Sequence, residues 1–190
     1  KYHKLKSSIY NVVLDTFHIS LQCVIYIYLK RIPMIQIREA KREDFPRVLE
    51  LITELAVFEK EPDAVEITVS ELEKNGLGEN AIFKCFVGLY DGRIEGISLC
   101  YPRFSTWKGK TIHLEDLIVT EKMRGKGLGK ALYDEVLKYA HQENVRRVEW
   151  VVLDWNTNAV AFYERTGATM EKDWYLAQMD KKSLDKYINS

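Results

Sequence analysis

The chain is short of cysteine and proline, and its charges balance. Cys23, Cys85 and Cys100 are odd in number, widely spaced and without a C-x-x-C pair, which argues against a disulfide framework and a zinc site. Buried, reduced thiols suit that pattern better. Lys plus Arg and Asp plus Glu both number 28 among 190 residues, so no overall basic excess points to nucleic acid. Any electrostatic site has to be local. His3, His18, His113 and His141 form no H-x-x-x-H or facial-triad pattern, so no metal is expected. The apolar part of ISLQCVIYIYLKRIP is too short to span a bilayer, and no repeat or low-complexity tract stands out. What remains, at 46% hydrophobic and 29% charged residues, is a globular composition and length enough for one domain with a real core.

Residues 1–33 differ from the rest. They lack the order of charge, apolar run and small-residue site that a signal peptide has, and they read as an extension ahead of a domain spanning 34–190. Met34 is its natural beginning. Within the extension, VIYIYL alternates β-branched and aromatic residues and is expected to be a strand.

From Met34 the pattern is regular. IQIREA predicts a first strand, and Asp44 stands where it can cap a helix carrying Phe45, Val48, Leu49, Ile52, Leu55 and Ala56 at helical spacing. A second, short helix follows in TVSELEKNGLG, with Thr68 and Glu71 set as a capping box. Asp91-Gly92 between IFKCFVGLY and RIEGISLCYPRF is a two-residue hairpin signal. TIHLEDLIVT predicts the next strand, then a helix over about 128–143, a strand in RRVEWVVLD and a helix in NAVAFYERTG closed by Gly167. DWYLAQMD is expected to be a last strand before a terminal helix. This order predicts an α+β fold, a three-layer α/β/α arrangement about a mixed sheet, and not a doubly wound one.

The glycine turn MRGKGLGK between strand and helix can be tested against three phosphate-binding patterns. A dinucleotide fingerprint needs a glycine where Leu132 stands, and a Walker loop needs glycine at Arg124 and Ser or Thr at Ala131. Both fail. R-x-x-G-x-G fits, as Arg124, Gly127 and Gly129 running into the helix. N–H groups of such a turn converge with the positive end of the helix dipole, so a pyrophosphate is a natural guest, with Arg124, Lys126 and Lys130 adding charge. The same glycines would also serve a purely structural tight turn.

With ITELAVFE, NGLGENAIFKCFVG, LEDLIV and DWNTNAVAFYERTGA around this turn, the sequence from Met34 almost to its end resembles the GNAT acetyltransferase superfamily. It is most similar to the spermidine/spermine and thialysine N-acetyltransferase branch. The resemblance implies a mostly antiparallel sheet splayed at an acetyl-CoA site. It also implies that Leu117, Ile118 and Val119 offer backbone groups to the pantetheine arm. Arg124, Gly125, Lys126, Gly127, Leu128, Gly129 and Lys130 would then hold the pyrophosphate, with Asn156 and Asn158 also at the cofactor.

Glu115 and Asp116 are adjacent carboxylates in an apolar strand. Strict alternation would put Glu115 with His113 and Leu117 on one face, and Asp116 with Leu114 and Ile118 on the other. Such a pair is expensive unless solvated or matched, and both a structural and a catalytic role are open. A primary amine with a reference pKa near ~10.4 is almost wholly protonated at neutral pH, so a buried carboxylate could free its lone pair. The resemblance implies Glu115 as that base, Asp116 as a contact for substrate charge, and Tyr163 as the acid that protonates the departing thiolate. Without it, Phe162 and Tyr163 would read as core aromatics.

At the acceptor end the resemblance implies Phe58 and Glu59, with Trp107 as a cation–π surface and Trp150 nearby. FEKEPDAVE adds Glu61, Asp63 and Glu66, either a solvated loop or a patch that steers cations. Polyamine acetyltransferases carry an acid two residues before the tryptophan, where this chain has Ser105. The expectation is direct acetyl transfer from acetyl-CoA to a primary amine (polyamine, thialysine or similar) in a cytoplasmic homodimer, without a metal, nucleic acid or membrane partner. A protein N-acetyltransferase and a non-catalytic acyl-CoA-binding module are the alternatives.

Overall fold

The computed structural model describes residues 34–190, so the strand expected over VIYIYL lies outside the described residues. The described chain forms two compact units, one ending at Trp150 and the other spanning Val151–Ser190. In the first, β1 (Ile35–Glu39), α1 (Phe45–Phe58) and α2 (Val69–Gly76) precede β2 (Lys84–Tyr90), β3 (Arg93–Ser105) and β4 (Gly109–Val119). α3 (Leu128–Gln142) and β5 (Val148–Glu149) complete it. The sheet order is β1-β2-β3-β4-β5, antiparallel except for the parallel β4–β5 pair. The second unit holds α4 (Thr157–Arg165) and α5 (Lys181–Ile188).

The hairpin forms at Asp91-Gly92 as the sequence predicts. Both residues have positive φ, 49° and 81°, the geometry whose twist matches two-residue antiparallel connections. α2 begins with the predicted reciprocal cap: Thr68 Oγ1 accepts from Glu71 N at 3.3 Å, and Glu71 Oε2 accepts from Thr68 N at 2.9 Å. Asp44 behaves differently. Its carboxylate accepts from Lys41 N at 2.7 Å and from both terminal nitrogens of Arg38, at 2.6 and 3.0 Å, and makes no cap bond to α1. The Arg38 hydrogen bonds hold this carboxyl below its ordinary range. Asp44 is therefore spent on anchoring the short 3-10 turn Arg42–Asp44 to β1.

Two faces of the sheet are covered. Phe45, Val48 and Leu51 of α1 and Leu72 of α2 pack with Cys85, Val87, Ile97 and Ile118. Full burial of each such aliphatic or aromatic side chain contributes about 1.5–3 kcal/mol. The alternate positions Gly88 and Gly96 face α3, where Leu128 and Leu132 approach so closely that a Cβ on Gly88 would lie 2.9 Å from Leu128 Cδ1. This is the three-layer arrangement expected from the sequence. Burial pushes the Cys100 thiol up to about 12 and Cys85 higher still, so both remain protonated thiols.

Gly96 is the tightest contact, since a Cβ there would stand 2.7 Å from the Ile118 carbonyl oxygen. Gly96→Ala should therefore destabilise the protein by about 1–3 kcal/mol through a forced backbone shift. Denaturant unfolding checks this, and an unchanged midpoint would show that β3 and β4 can separate there at no cost.

Two expected strands are corrected. Among the described residues RRVEWVVLD pairs only at Ile112↔Val148 and His113↔Glu149, and beyond Trp150 the chain leaves the sheet, with Val151 60% exposed. DWYLAQMD has the composition of a strand but pairs with none among the described residues, and Tyr175 is 99% exposed. β propensity records a fit to a pleated surface, and without a neighbouring strand it fixes nothing. Among the described residues no helix is long and apolar enough to cross a membrane.

Candidate active site

β4 supplies the chemistry because its pairing with β3 is interrupted. Leu99 pairs with Asp116 and the next residue, Cys100, with Leu114, which leaves Glu115 as an extra residue in β4. A bulge of this kind breaks alternation and re-aims side chains. Directly paired residues share a face, so Asp116 lies on the Leu99 face while Leu114 lies with Cys100 on the other. The expected grouping of Leu114 with Asp116 and Ile118 is thus corrected.

The bulge gathers a polar cluster. Tyr101, paired with His113, donates its hydroxyl to Glu115 Oε2 at 2.8 Å. His113 Nε2 is 3.6 Å from the same oxygen, and the Tyr101 and His113 rings lie 5.2 Å apart. Burial, then the bond to Glu115, pushes Tyr101 up to about 12, so this hydroxyl stays a donor. Asp116 is pushed up to about 7, first by burial, then by the charges of Glu115 and Glu59. Desolvation also raises Glu59, at the C-terminal end of α1. Both β4 acids open onto a cavity of about 460 Å³ bounded by Leu99 and Tyr101 of β3, Ile52 of α1 and Leu72 of α2.

Tyr101 was not foreseen from the sequence. Neither Trp107 nor Trp150 lines this cavity. Trp107 is 78% exposed in the β3–β4 turn, and Trp150 packs edge-on to Tyr133 of α3 at 5.7 Å. Phe58 lies under the Arg124 guanidinium at 4.7 Å, so an expected acceptor residue touches an expected phosphate residue. Together they border a second cavity of about 720 Å³.

At the other end of β4, Leu117, Ile118 and Val119 pair with Ser98, Ile97 and Gly96 on one side. Among the described residues no strand pairs with them on the other, where Val119 O accepts from Arg124 Nε at 3.4 Å. The glycine turn comes next. Gly125 and Gly127 have φ of 75° and 88°, and a Cβ at Gly125 would meet no atom within 4 Å. No side chain caps α3 at Gly127, which leaves its first N–H groups pointing into the turn. Lys130 holds Asp134 at 2.6 Å, Lys126 stands 5.3 Å from the Tyr90 ring centroid, and Gly129 gives α3 an ordinary approach to Val119. Such a turn and helix start attract an anion, and Arg124 and Lys126 stand around it with contacts of their own, Arg124 Nε donating to Val119 O and Lys126 Nζ lying 3.4 Å from Met123 Sδ.

In the second unit, Asn156 caps α4, its Oδ1 accepting from Ala159 N at 3.3 Å. Its oxygen therefore has a structural task. Asn158 is exposed in the first turn, and Tyr163 is buried beside Phe162, ring centroids 5.3 Å apart. Gly167, at φ 94°, ends the helix as expected.

A glycine turn that attracts anions at one end of β4 and a carboxylate pair in a cavity at the other suit a phosphate-bearing donor and a cationic acceptor. The family comparison makes this specific. The model of the acetyltransferase (GNAT) family matches residues 36–168, and the chain belongs to that family. It is 34% identical over 161 residues to a thialysine N-epsilon-acetyltransferase from Bos taurus, covering 79% of this chain and 95% of that one. It is 30% identical over 159 residues to a human spermidine/spermine N(1)-acetyltransferase-like protein 1, covering 78% of this chain and 23% of the other. Among solved structures, an integron cassette protein from the mobile metagenome of V. cholerae superposes with a TM-score of 0.67 at 20% identity, over 82% of this chain and 98% of that one. The chain is an acetyltransferase, and acetyl-CoA is the cosubstrate its family uses.

Proposed function

We propose that this enzyme acetylates the primary amine of a small cationic acceptor by direct attack within a ternary complex. The observation that carries the reading is the bulge at Glu115, which leaves two carboxylates and one committed hydroxyl in an otherwise apolar cavity. The thialysine and polyamine relatives support the amine as acceptor.

When bound, acetyl-CoA supplies a thioester. The backbone of 117–119, the turn at 124–130 and Asn156 bind and orient it. Asp116, which titrates near neutrality, takes the proton of the acceptor ammonium, and Glu115 beside it, held by Tyr101, attracts that cation. This departs from the resemblance, which gives the base to Glu115. The freed nitrogen lone pair forms the N–C bond as the C–S bond breaks, and Tyr163 donates its hydroxyl proton to the departing thiolate. The nitrogen loses its second proton to solvent as the amide forms, so two protons leave the ammonium, one enters the CoA thiol and one is released net, with solvent exchange restoring Asp116 and Tyr163.

Two outcomes follow. Initial rates with both substrates varied should give intersecting lines, and parallel lines would mean a covalent acetyl-enzyme. Tyr163→Phe should lower turnover by about 10²-fold with little change in acetyl-CoA affinity, the signature of a lost proton donor. Equal losses in both would assign Tyr163 to packing. A homodimer in the cytoplasm completes the proposal, the oligomer by analogy with the family.

A further inference from the structure

Arg124 leaves the 3-10 turn Glu121–Met123 with its amide donating to Glu121 O at 3.1 Å, so its backbone is set before the glycines begin. Its side chain is set as well. Nε donates to Val119 O at 3.4 Å, and the guanidinium carbon stands over the Phe58 ring, 4.7 Å from the centroid. A carbonyl and an aromatic face thus hold the planar cation without using Nη1 and Nη2, the edge that meets a phosphate in paired hydrogen bonds. Among the described residues no carboxylate forms an ion pair with Arg124, whereas Lys130 is paired with Asp134 at 2.6 Å. Phe58 is the last residue of α1, whose Phe45, Val48 and Leu51 are buried in the core, so the ring rides on a well-anchored element. It does not line the cavity that holds Glu115 and Asp116, and it borders the second cavity together with Arg124.

We propose that Phe58 is a positioning residue for the donor: its ring holds the Arg124 guanidinium ready for the diphosphate of acetyl-CoA. An arginine side chain has several rotatable bonds, and one ordered before binding loses less freedom when the ligand arrives. The ring therefore raises donor affinity by acting through Arg124. This rests on the reading that the turn binds the diphosphate, and it moves Phe58 from the acceptor end, where the family resemblance puts it, to the donor end.

The test is a double-mutant cycle on acetyl-CoA dissociation constants, measured by calorimetric titration of the full chain with Phe58→Leu, Arg124→Leu and the two combined. Circular dichroism checks that each variant is folded. Phe58→Leu, which keeps an apolar side chain but no ring face, should weaken binding at least about threefold, and Phe58→Tyr, which keeps the face, should restore it. Added to Arg124→Leu, Phe58→Leu should weaken binding by less than about twofold, because the ring then has nothing to hold. A ring that only packs α1 would weaken binding equally in both backgrounds, and that result overturns the inference. So does a smaller loss in Phe58→Leu beside a clear loss in Arg124→Leu, or a raised acceptor KM with acetyl-CoA affinity kept. Unchanged affinity in Arg124→Leu would remove Arg124 from the diphosphate reading itself and take the inference with it.

Discussion

Asp116→Asn should lower kcat for an amine acceptor by about 10²–10⁴-fold, the range for removing a positioned general base. In the native chain the rate should climb with pH through the titration of Asp116 at about 7 and then level off. The sign follows from the group's state: below about 7 the carboxyl is protonated and cannot accept a proton, and above it the base form dominates. Glu115 and Glu59 are the charges that raise Asp116, with the Tyr101 hydroxyl holding Glu115. Glu115→Gln should therefore move the acid limb to lower pH, because one of the repelling charges is gone. Were Glu115 itself the base, Glu115→Gln would abolish the limb and Asp116→Asn would leave it intact. The same shift has a stability consequence. A carboxyl raised from 3.8 to about 7 in the folded state makes stability fall as pH rises between those values, since only the folded state keeps the proton there. Asp116→Asn should thus be more stable than the native chain at pH ~8, by on the order of 2 kcal/mol after allowing for partial solvent screening.

Gly127→Val is the second large effect. At φ 88° a β-branched residue is strained, and relief requires the turn to reshape where α3 begins. The N–H groups of that helix start are the geometric part of the diphosphate cradle. Acetyl-CoA affinity should fall at least ~30-fold, about 2 kcal/mol at ~1.4 kcal/mol per tenfold. Calorimetric titration of acetyl-CoA checks this. Unchanged affinity in the folded variant would remove the diphosphate assignment.

Much of the fold was legible before any coordinates because the signals are local. Asp91-Gly92 needs only two residues to fix a hairpin, and Thr68 with Glu71 only four to start a helix. The glycine turn was legible for the same reason. Signals that depend on a neighbour were misread: DWYLAQMD has a strand's composition but lacks a partner among the described residues, and Asp44 looked like a cap until Arg38 claimed it. The site falls between these cases. Glu115 and Asp116 could be picked out by type, but their shared cavity depends on an irregularity in pairing. The register counted from the Asp91-Gly92 turn fails where Glu95 is skipped, and the β3–β4 register, regular from Ser105↔Gly109 to Tyr101↔His113, fails beyond that pair at Glu115, so Asp116 could not be matched to Leu99 from sequence. Asp116 could not be distinguished from Glu115 either, because their difference comes from burial under α1 and α2.

The most direct test of amine acetylation is release of free CoA thiol from acetyl-CoA across a panel of primary amines, with the acetylated amine identified by mass spectrometry. The account predicts thiol release that depends on the amine and matches the N-acetyl product mole for mole. Tight acetyl-CoA binding without thiol release from any amine would contradict it and leave an acyl-CoA-binding module in its place.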